Sequence, residues 1–105
     1  MDPVRAVHSD DFIAFLEAAW QEWQDAGFTG EAIASSWPAR RMQSRVPSSI
    51  DGKIGYYALA AETSITEGTW AAALASKDVA LTGAKALYQG EQGIFSLCRP
   101  PGHHA

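Results

Sequence analysis

The chain has 105 residues, 47% of them hydrophobic, and a formal net charge of −4. This length allows one domain, and the hydrophobic content is sufficient for a packed core, so disorder is not expected. The negative charge argues against a nucleic-acid partner. The one local group of arginines, Arg40, Arg41 and Arg45, is interpreted as part of a solvated loop.

Cysteine content and the amino terminus indicate the cellular compartment. The single cysteine, Cys98, excludes an internal disulfide and lies in an apolar run typical of a buried, unreactive thiol. No apolar stretch approaches the ~20 residues of a membrane span. The first residues lack the basic and apolar regions of a signal peptide. We therefore expect a cytoplasmic protein with no membrane partner.

A first helix is predicted from about Ser9 to Ala26. Apolar side chains recur there at spacings of three and four, which places them on one helical face. Ser9 is a suitable N-cap residue, and Gly27 is a natural stop. The predicted apolar face comprises Phe12, Phe15, Leu16, Ala19, Trp20 and Trp23.

The segment from Phe28 to Gly55 has no regular period and contains several turn-forming residues. A short helix over Glu31 to Trp37 is one interpretation, and the remainder is predicted to be a long loop. Loops of this length in compact domains are usually functional, interfacial or disordered. Apolar residues within it, such as Trp37 and Met42, favour packing against a partner.

A second long helix is predicted from Ser64 to about Gly90. Ser64-Ile65-Thr66-Glu67 has the pattern of a capping box, with Ser64 as N-cap. The preceding stretch, Tyr56 to Glu62, is compatible with a helical turn or with another ordered conformation. The many alanines of the long helix are typical of a helix that is buried against a sheet or other helices.

A buried strand is predicted over Ile94–Cys98, since a short apolar run is bounded there by Gly93 and by proline. Helix, glycine turn, strand and loop in this order indicate an open α/β sheet. Active sites in such sheets lie at the carboxyl ends of strands, and His103 and His104 follow this strand.

The chain closes on Arg99-Pro100-Pro101-Gly102-His103-His104-Ala105. Adjacent histidine rings are poorly spaced to chelate one ion but are suited to sharing a proton near neutral pH. Composition alone leaves a second interpretation open, in which the pair is exposed and without function.

Phe95 to Ala105 resembles the histidine-pair segment of the zinc-dependent histone deacetylase and acetylpolyamine amidohydrolase family. Two further segments are similar to that family. Val7 to Phe12 resembles its histidine-led entry into an early helix, and Gly55 to Thr66 resembles the loop before its long alanine-rich helix. The resemblance implies an arginase-like α/β fold. For this chain it implies a partial, predominantly helical version with one or two short strands and an incomplete sheet.

The resemblance also implies roles for individual residues. His103 would hydrogen-bond the zinc-bound water, and His104 would be the general base that later protonates the leaving amine. In the family, zinc polarises the amide carbonyl, and a tyrosine stabilises the oxyanion. Glu62 would border the substrate channel and attract a cationic polyamine, although a solvated charge is an equally good interpretation. The Phe28–Ile50 segment resembles an insertion that forms a dimer, so a homodimer or higher homo-oligomer is expected.

The family's zinc ligands, an Asp-x-His pair and a further Asp, follow the histidine pair, and none can be assigned in these residues. We therefore expect an internal part of a longer enzyme, with no metal site or cofactor of its own and no catalysis by itself. Three functional hypotheses follow: a self-associating non-catalytic protein, a contributor of the histidine pair to a deacetylase completed by another polypeptide, and a binder of a small cationic ligand.

Overall fold

A computed structural model of the chain describes residues 2–39, 41–58 and 60–102. It contains three α-helices, α1 over Asp10–Asp25, α2 over Ile50–Tyr57 and α3 over Thr69–Tyr88. Within those residues, extended backbone pairs at one isolated antiparallel bridge, between Ala32 and Ile65. The described part of the chain is thus mostly helical and contains no sheet, so the predicted α/β architecture is not seen in it.

Helix α1 forms where its apolar periodicity predicts it. Ser9 occupies the N-cap position with extended backbone, and Asp10 and Asp11 lie in the first turn, where the helix dipole favours negative charge. The predicted face is buried or partly buried in the core. The helix also buries Ile13, which lies outside that predicted face.

Gly27 ends α1 in a Schellman motif. Its φ is +86°, a conformation that is open to glycine at little cost. The Gly27 amide donates to the Gln24 carbonyl at 2.9 Å, and the Phe28 amide donates to the Trp23 carbonyl at 3.3 Å. The Phe28 ring stacks on Trp23 with 4.2 Å between ring centroids, which is the apolar contact that usually accompanies this motif.

The prediction of a short helix over Glu31 to Trp37 is wrong, because this segment is extended. Ala32 and Ile65 exchange two backbone hydrogen bonds of 2.9 Å. Burial alternates along the segment, with Ala32 and Ala34 buried and Ile33 exposed between them. This period of two is that of a strand, and the small alanines allow the backbone to lie close to the core.

The long loop predicted from Phe28 to Gly55 contains the start of helix α2. Ser49 is its N-cap residue, and Ile50 and Ile54 are buried one turn apart. Asp51-Gly52 and Gly55 read as turn residues in the sequence and concealed this helix. The spacing of Ile50, Ile54 and Tyr57, behind a serine, is the signal that predicts it.

Helices α1 and α2 pack together to form the core. The Tyr57 ring stacks on Phe15 with 4.5 Å between ring centroids, and Lys53 Nζ lies 2.7 Å from a Glu22 carboxylate oxygen. The extended 32–37 segment crosses α2 at the buried Gly55, where a Cβ atom would overlap the Ser36 carbonyl oxygen. Among the described residues, all nine buried hydrophobic side chains belong to α1, α2 or the paired segments around Ala32 and Ile65.

Helix α3 begins four residues later than the capping box predicts. Ile65 is paired with Ala32 and therefore cannot enter the first turn of a helix. The N-cap residue is Gly68 instead of Ser64. The Thr69 hydroxyl accepts a 2.8 Å hydrogen bond from the Thr66 amide, and so satisfies one donor of the turn before the helix.

Helix α3 is largely exposed, contrary to the expectation of a buried helix. Gly83 is its single buried residue, and Val79, Leu87 and Tyr88 are exposed. The radius of gyration is 16.1 Å, compared with about 13 Å for a compact domain of 100 residues. The chain is therefore elongated, with α3 standing beside the α1–α2 core.

The prediction of a buried strand over Ile94–Cys98 is also wrong for the described residues. The backbone is extended there, but Phe95 and Leu97 are 87% and 70% exposed. A strand needs a neighbour for its backbone groups, and residues 2–39, 41–58 and 60–102 offer none to this segment.

Replacing Gly55 with alanine tests the crossing of α2 by the 32–37 segment. We expect Gly55→Ala to lower the free energy of unfolding by about 1–3 kcal/mol or more, because its new Cβ must displace backbone. Gly93→Ala is the matched control, since nothing lies within 4 Å of its added Cβ. Urea denaturation measures both, and equal stability of the two variants would contradict the close approach.

The contact between Asp11 and Tyr57 predicts a dependence of stability on pH. The Tyr57 hydroxyl donates to an Asp11 carboxylate oxygen at 3.1 Å. Hydrogen bonds from the Ser9 and Tyr57 hydroxyls lower the pKa of Asp11 below 3.8. Burial, followed by the hydrogen bond and charge of Asp11, raises the pKa of Tyr57 above 10.0.

The signs follow from linkage. A lowered carboxyl pKa stabilises the fold above pH 3.8, and this contribution is lost as pH falls through the folded-state pKa. A raised tyrosine pKa stabilises the fold below pH 10.0, and this contribution is lost at higher pH. Tyr57→Phe keeps the ring stacked on Phe15 and removes the hydrogen bond. We expect its stability deficit at pH 7 to shrink at strongly acidic pH in urea titrations, and a deficit independent of pH would refute this.

Candidate active site

The candidate catalytic residues His103 and His104 lie outside the described residues, which end at Gly102. Their roles as water-binding residue and general base therefore stay predictions. The structure does describe the segment that leads to them, Ile94 to Gly102, and the helix that holds it. The contacts between this segment and α3 fix the position of the chain that precedes His103.

Gly83 allows the leading segment to approach α3. The side chains of Ile94 and Ser96 lie over it, and a Cβ atom at position 83 would be 2.7 Å from Ile94 Cγ2 and 2.6 Å from Ser96 Oγ. Both distances are shorter than the van der Waals contacts that a Cβ normally makes, so a larger residue here would force the Ile94 and Ser96 side chains to shift.

Ser76, which precedes Gly83 in α3, contacts the carboxyl end of the same segment. The Cys98 thiol donates to the Ser76 carbonyl at 3.4 Å, and the Ser76 hydroxyl donates to the Arg99 carbonyl at 3.5 Å. Cys98 is half-buried at this contact, in keeping with a structural thiol. The segment is thus fixed to α3 as far as Arg99, four positions before His103.

Glu62, the predicted substrate-binding carboxylate, is exposed. It lies in a turn closed by a 3.2 Å hydrogen bond from the Thr63 amide to the Ala60 carbonyl, just before the Ile65 bridge. An exposed carboxylate is compatible both with attraction of a cation and with simple solvation. Its role stays a prediction.

The described residues do not fit a zinc ion. Zinc sites in proteins use three or four closely placed side chains, mostly His, Cys, Asp or Glu. Across 2–39, 41–58 and 60–102, no group of three such residues is placed to hold a metal. The zinc chemistry that the family resemblance implies therefore has no described ligand set here.

His8 lines an apolar cleft that was not singled out from the sequence. The cleft has a volume of about 250 Å³ and lies between the amino-terminal turns, α1 and α3, with Trp70, Leu74 and Lys77 on its far side. The His8 ring is tilted against Phe12 with 5.6 Å between ring centroids. This contact explains the position of His8 before α1 as packing.

The Phe28–Ile50 segment presents the apolar side chains that suggested a dimer. Trp37, Met42 and Val46 are exposed to 46%, 72% and 51%. Trp37, Met42 and Arg45 line a cavity of about 310 Å³ within this segment, and Arg41 is exposed beside it, as a solvated loop requires. Arg40 lies outside the described residues. Homodimer formation stays a prediction.

Comparison with known proteins confirms the family resemblance of the sequence. The histone deacetylase domain matches residues 1–105, the whole chain. The chain belongs to the histone deacetylase family. Among the residues whose structure is described, no helix is long and apolar enough to cross a membrane.

Curated relatives of this family member are acetylpolyamine amidohydrolases. That of Mycoplana ramosa is 52% identical over 105 residues, which is 100% of this chain and 31% of the relative. Acetylpolyamine amidohydrolase 2 of Pseudomonas aeruginosa is 47% identical, over 100% of this chain and 30% of the relative. Acetylpolyamine amidohydrolase 1 of the same organism is 39% identical, over 99% and 31%. The chain thus spans about a third of the length of these relatives.

Enlarging Gly83 tests whether α3 holds the histidine segment. We expect Gly83→Leu to lift Ile94 and Ser96 from the helix and to release the Cys98 thiol from Ser76. Because Cys98 is the one cysteine of the chain, the rate of labelling by a thiol reagent reports this directly, and it should rise several-fold.

Ala84→Leu is the matched control, since Ala84 is exposed on the same helix. Circular dichroism should show the helices intact in both variants, because the core lies in α1 and α2. Equal labelling rates in the two variants would show that the contact of Ile94 and Ser96 with Gly83 does not position the segment that leads to the histidine pair.

Proposed function

We propose that these 105 residues carry the acid–base histidine pair of an amide hydrolase that removes acetyl groups from acetylated polyamines, and that they do not catalyse this reaction alone. The observation that supports the proposal is the 52% identity to the acetylpolyamine amidohydrolase of Mycoplana ramosa over the whole chain. The match covers 100% of this chain, and so extends over His103 and His104, which directly follow the last described residue, Gly102.

In this proposal the two histidines handle one proton. His103 hydrogen-bonds the attacking water, and His104 takes a proton from that water as its oxygen bonds to the amide carbon. When the carbon–nitrogen bond breaks, His104 returns the proton to the leaving amine, so that acetate and a free polyamine result. A histidine suits this cycle because its pKa lies near neutral pH.

The need for further polypeptide follows from the residues present. The family's Asp-x-His pattern does not occur, since Ala6, Pro101 and Gly102 stand two positions before the three histidines. The described residues also lack a metal-binding group, as shown above. In this proposal, the ligands for zinc and the donor for the oxyanion come from polypeptide outside these 105 residues.

The charge of the chain supports a cationic substrate. Its net charge is −4, and Glu62 presents an exposed carboxylate. A negative field raises the local concentration of a polycation and speeds its association at low salt. Glu62 is the side chain that we propose contacts the distal amine of the substrate.

The proposal is tested by measuring acetate release from an acetylated diamine in the presence of zinc. The 105-residue chain alone should show no turnover. The same chain produced together with the Mycoplana ramosa polypeptide that lies outside the matched 31% should show zinc-dependent turnover. In that mixture His104→Ala should reduce the rate by about 10²–10⁴-fold, the usual contribution of a general acid–base group.

His8→Ala is the matched control, because it removes the one histidine outside the candidate pair, whose ring packs on Phe12. Its turnover should equal that of the unaltered chain once thermal melting shows that it is folded. Turnover by the 105 residues alone would overturn the claim that they need other polypeptide. Undiminished turnover in His104→Ala would overturn the assignment of the base.

A further inference from the structure

Residues 37–47, described at all positions except 40, form a loop whose two ends are held on the same helix. At one end, the Ser36 carbonyl lies so close to Gly55 of α2 that a Cβ atom there would overlap it. At the other end, Pro47 packs on Gly52, where a Cβ atom would be 2.6 Å from Pro47 Cβ. Gly52 and Gly55 are three positions apart and so lie on one side of α2. We call these residues the 37–47 loop, and its neighbouring, fixed ends are typical of the Ω-loops that often carry function.

A turn with an uncommon backbone conformation shapes the loop between those ends. The Met42 amide donates to the Ala39 carbonyl at 3.3 Å, and Arg41 has a φ of +65°. Few residues with a side chain adopt this left-handed conformation, and strained residues of this kind cluster at ligand-binding sites. The turn places Ala39 and Met42 in the wall of one cavity.

That cavity has a volume of about 310 Å³ and lies between the 37–47 loop and α2. Its size is at the lower end of the range for small-molecule sites. Trp37 and Met42, which are 46% and 72% exposed, supply apolar walls, and Arg45 is exposed in the same lining. Two serines and a glutamine add polar groups, and the described lining contains no Asp or Glu. The cavity therefore combines an apolar wall with one cation.

Arg45 has no counter-ion in the described part of the chain. The ion pairs found there involve Arg5, Lys53 and Lys77. A guanidinium presents parallel N–H donors that match the two oxygens of a carboxylate. The Trp37 indole, in the same lining, offers a flat face on which an aromatic ring can stack.

We propose that the 37–47 loop is a binding site for a small aromatic carboxylate, with the Arg45 guanidinium on the carboxylate and the side chains of Trp37 and Met42 against the ring. A carboxylate fits better than a phosphate, because the described lining holds one cation and a phosphate dianion needs more positive charge. Arg45 repels a cationic polyamine from this cavity. The inference does not rest on the proposed function, since it concerns residues that pack on α2.

A second copy of the chain is a poorer occupant of the cavity. Residues 32–50 contain three arginines and no carboxylate. In a two-fold interface centred on the cavity, the same surface of each copy faces the other, so these like charges would meet. A small anion neutralises Arg45 instead.

NMR titration of the 105-residue chain with naphthoate tests the inference. We expect a dissociation constant of about 1 mM or lower, the affinity usual for a ligand of this size. The indole N–H signal of Trp37, assigned with Trp37→Phe, should shift during the titration. The signal of Trp23, whose indole donates to the Gly30 carbonyl, should not. Naphthamide, which has the same ring and no charge, should bind about 10-fold more weakly.

Substitution of Arg45 tests the role of the guanidinium. Arg45→Gln should raise the dissociation constant about 10-fold or more, because a charged hydrogen-bonded pair is lost. Arg45→Lys keeps the charge without the planar fork and should give an intermediate value. Arg41→Gln is the matched control, since it removes the same charge from the same loop at a residue outside the cavity lining, and its effect should be less than about twofold. Thermal melting shows whether each variant is folded.

Four results would overturn the inference. Two are equal dissociation constants in Arg45→Gln and Arg41→Gln, and equal binding of naphthoate and naphthamide. Tighter binding of naphthyl phosphate than of naphthoate would overturn the assignment of a carboxylate. Sedimentation velocity supplies the fourth: a dimer that Arg45→Gln dissociates, with no naphthoate-dependent shift of the Trp37 signal, would assign the cavity to a second copy of the chain.

Discussion

The close approach of the Ser36 carbonyl to Gly55 is the constraint on which the rest of the fold depends. It lets an extended segment cross α2 at backbone distance, and so places Ala32 and Ala34 against the side chains of α1. The bridge from Ala32 to Ile65 then fixes the chain just before α3. A side chain at position 55 would separate these layers, so one glycine links helix pairing, the bridge and the starting point of α3.

Local signals in the sequence predicted local structure well. The apolar period of α1, Ser9 as the residue before it and Gly27 as its stop are local features, and the structure has each residue at its predicted position, although the Ser9 hydroxyl makes no capping hydrogen bond. The predictions that are wrong concern segments whose conformation is set by a residue far away in the sequence. Glu31 to Trp37 is extended because Ile65 pairs with Ala32, and the same pairing removes Ser64 from the helix it was expected to cap. Neither effect can be read from a window of neighbouring residues.

For the candidate site, the sequence predicted the family but not the contacts with α3. The histidine motif led to the correct family, because Arg99 to Ala105 is a distinctive local sequence that can be recognised without knowledge of the fold. The contacts that hold residues 94–99 on α3 are not predicted from the sequence. There, Gly83 reads as one more small residue in an alanine-rich helix, and Ser76 reads as a solvated serine. Contacts of this kind become visible only when the segment and the helix are placed side by side, since they depend on the small size of Gly83 and on the backbone carbonyls of Ser76 and Arg99.

The uneven distribution of buried side chains has a thermodynamic consequence. The nine buried hydrophobic residues of the described part of the chain all lie outside α3 and the segment that follows it. Parts of a protein with few buried contacts open with lower free energy than its core, often as one cooperative unit. We therefore expect residues 69–102 to open at lower free energy than the α1–α2 core. Any molecule that binds α3 would then use part of its binding free energy to suppress this local opening.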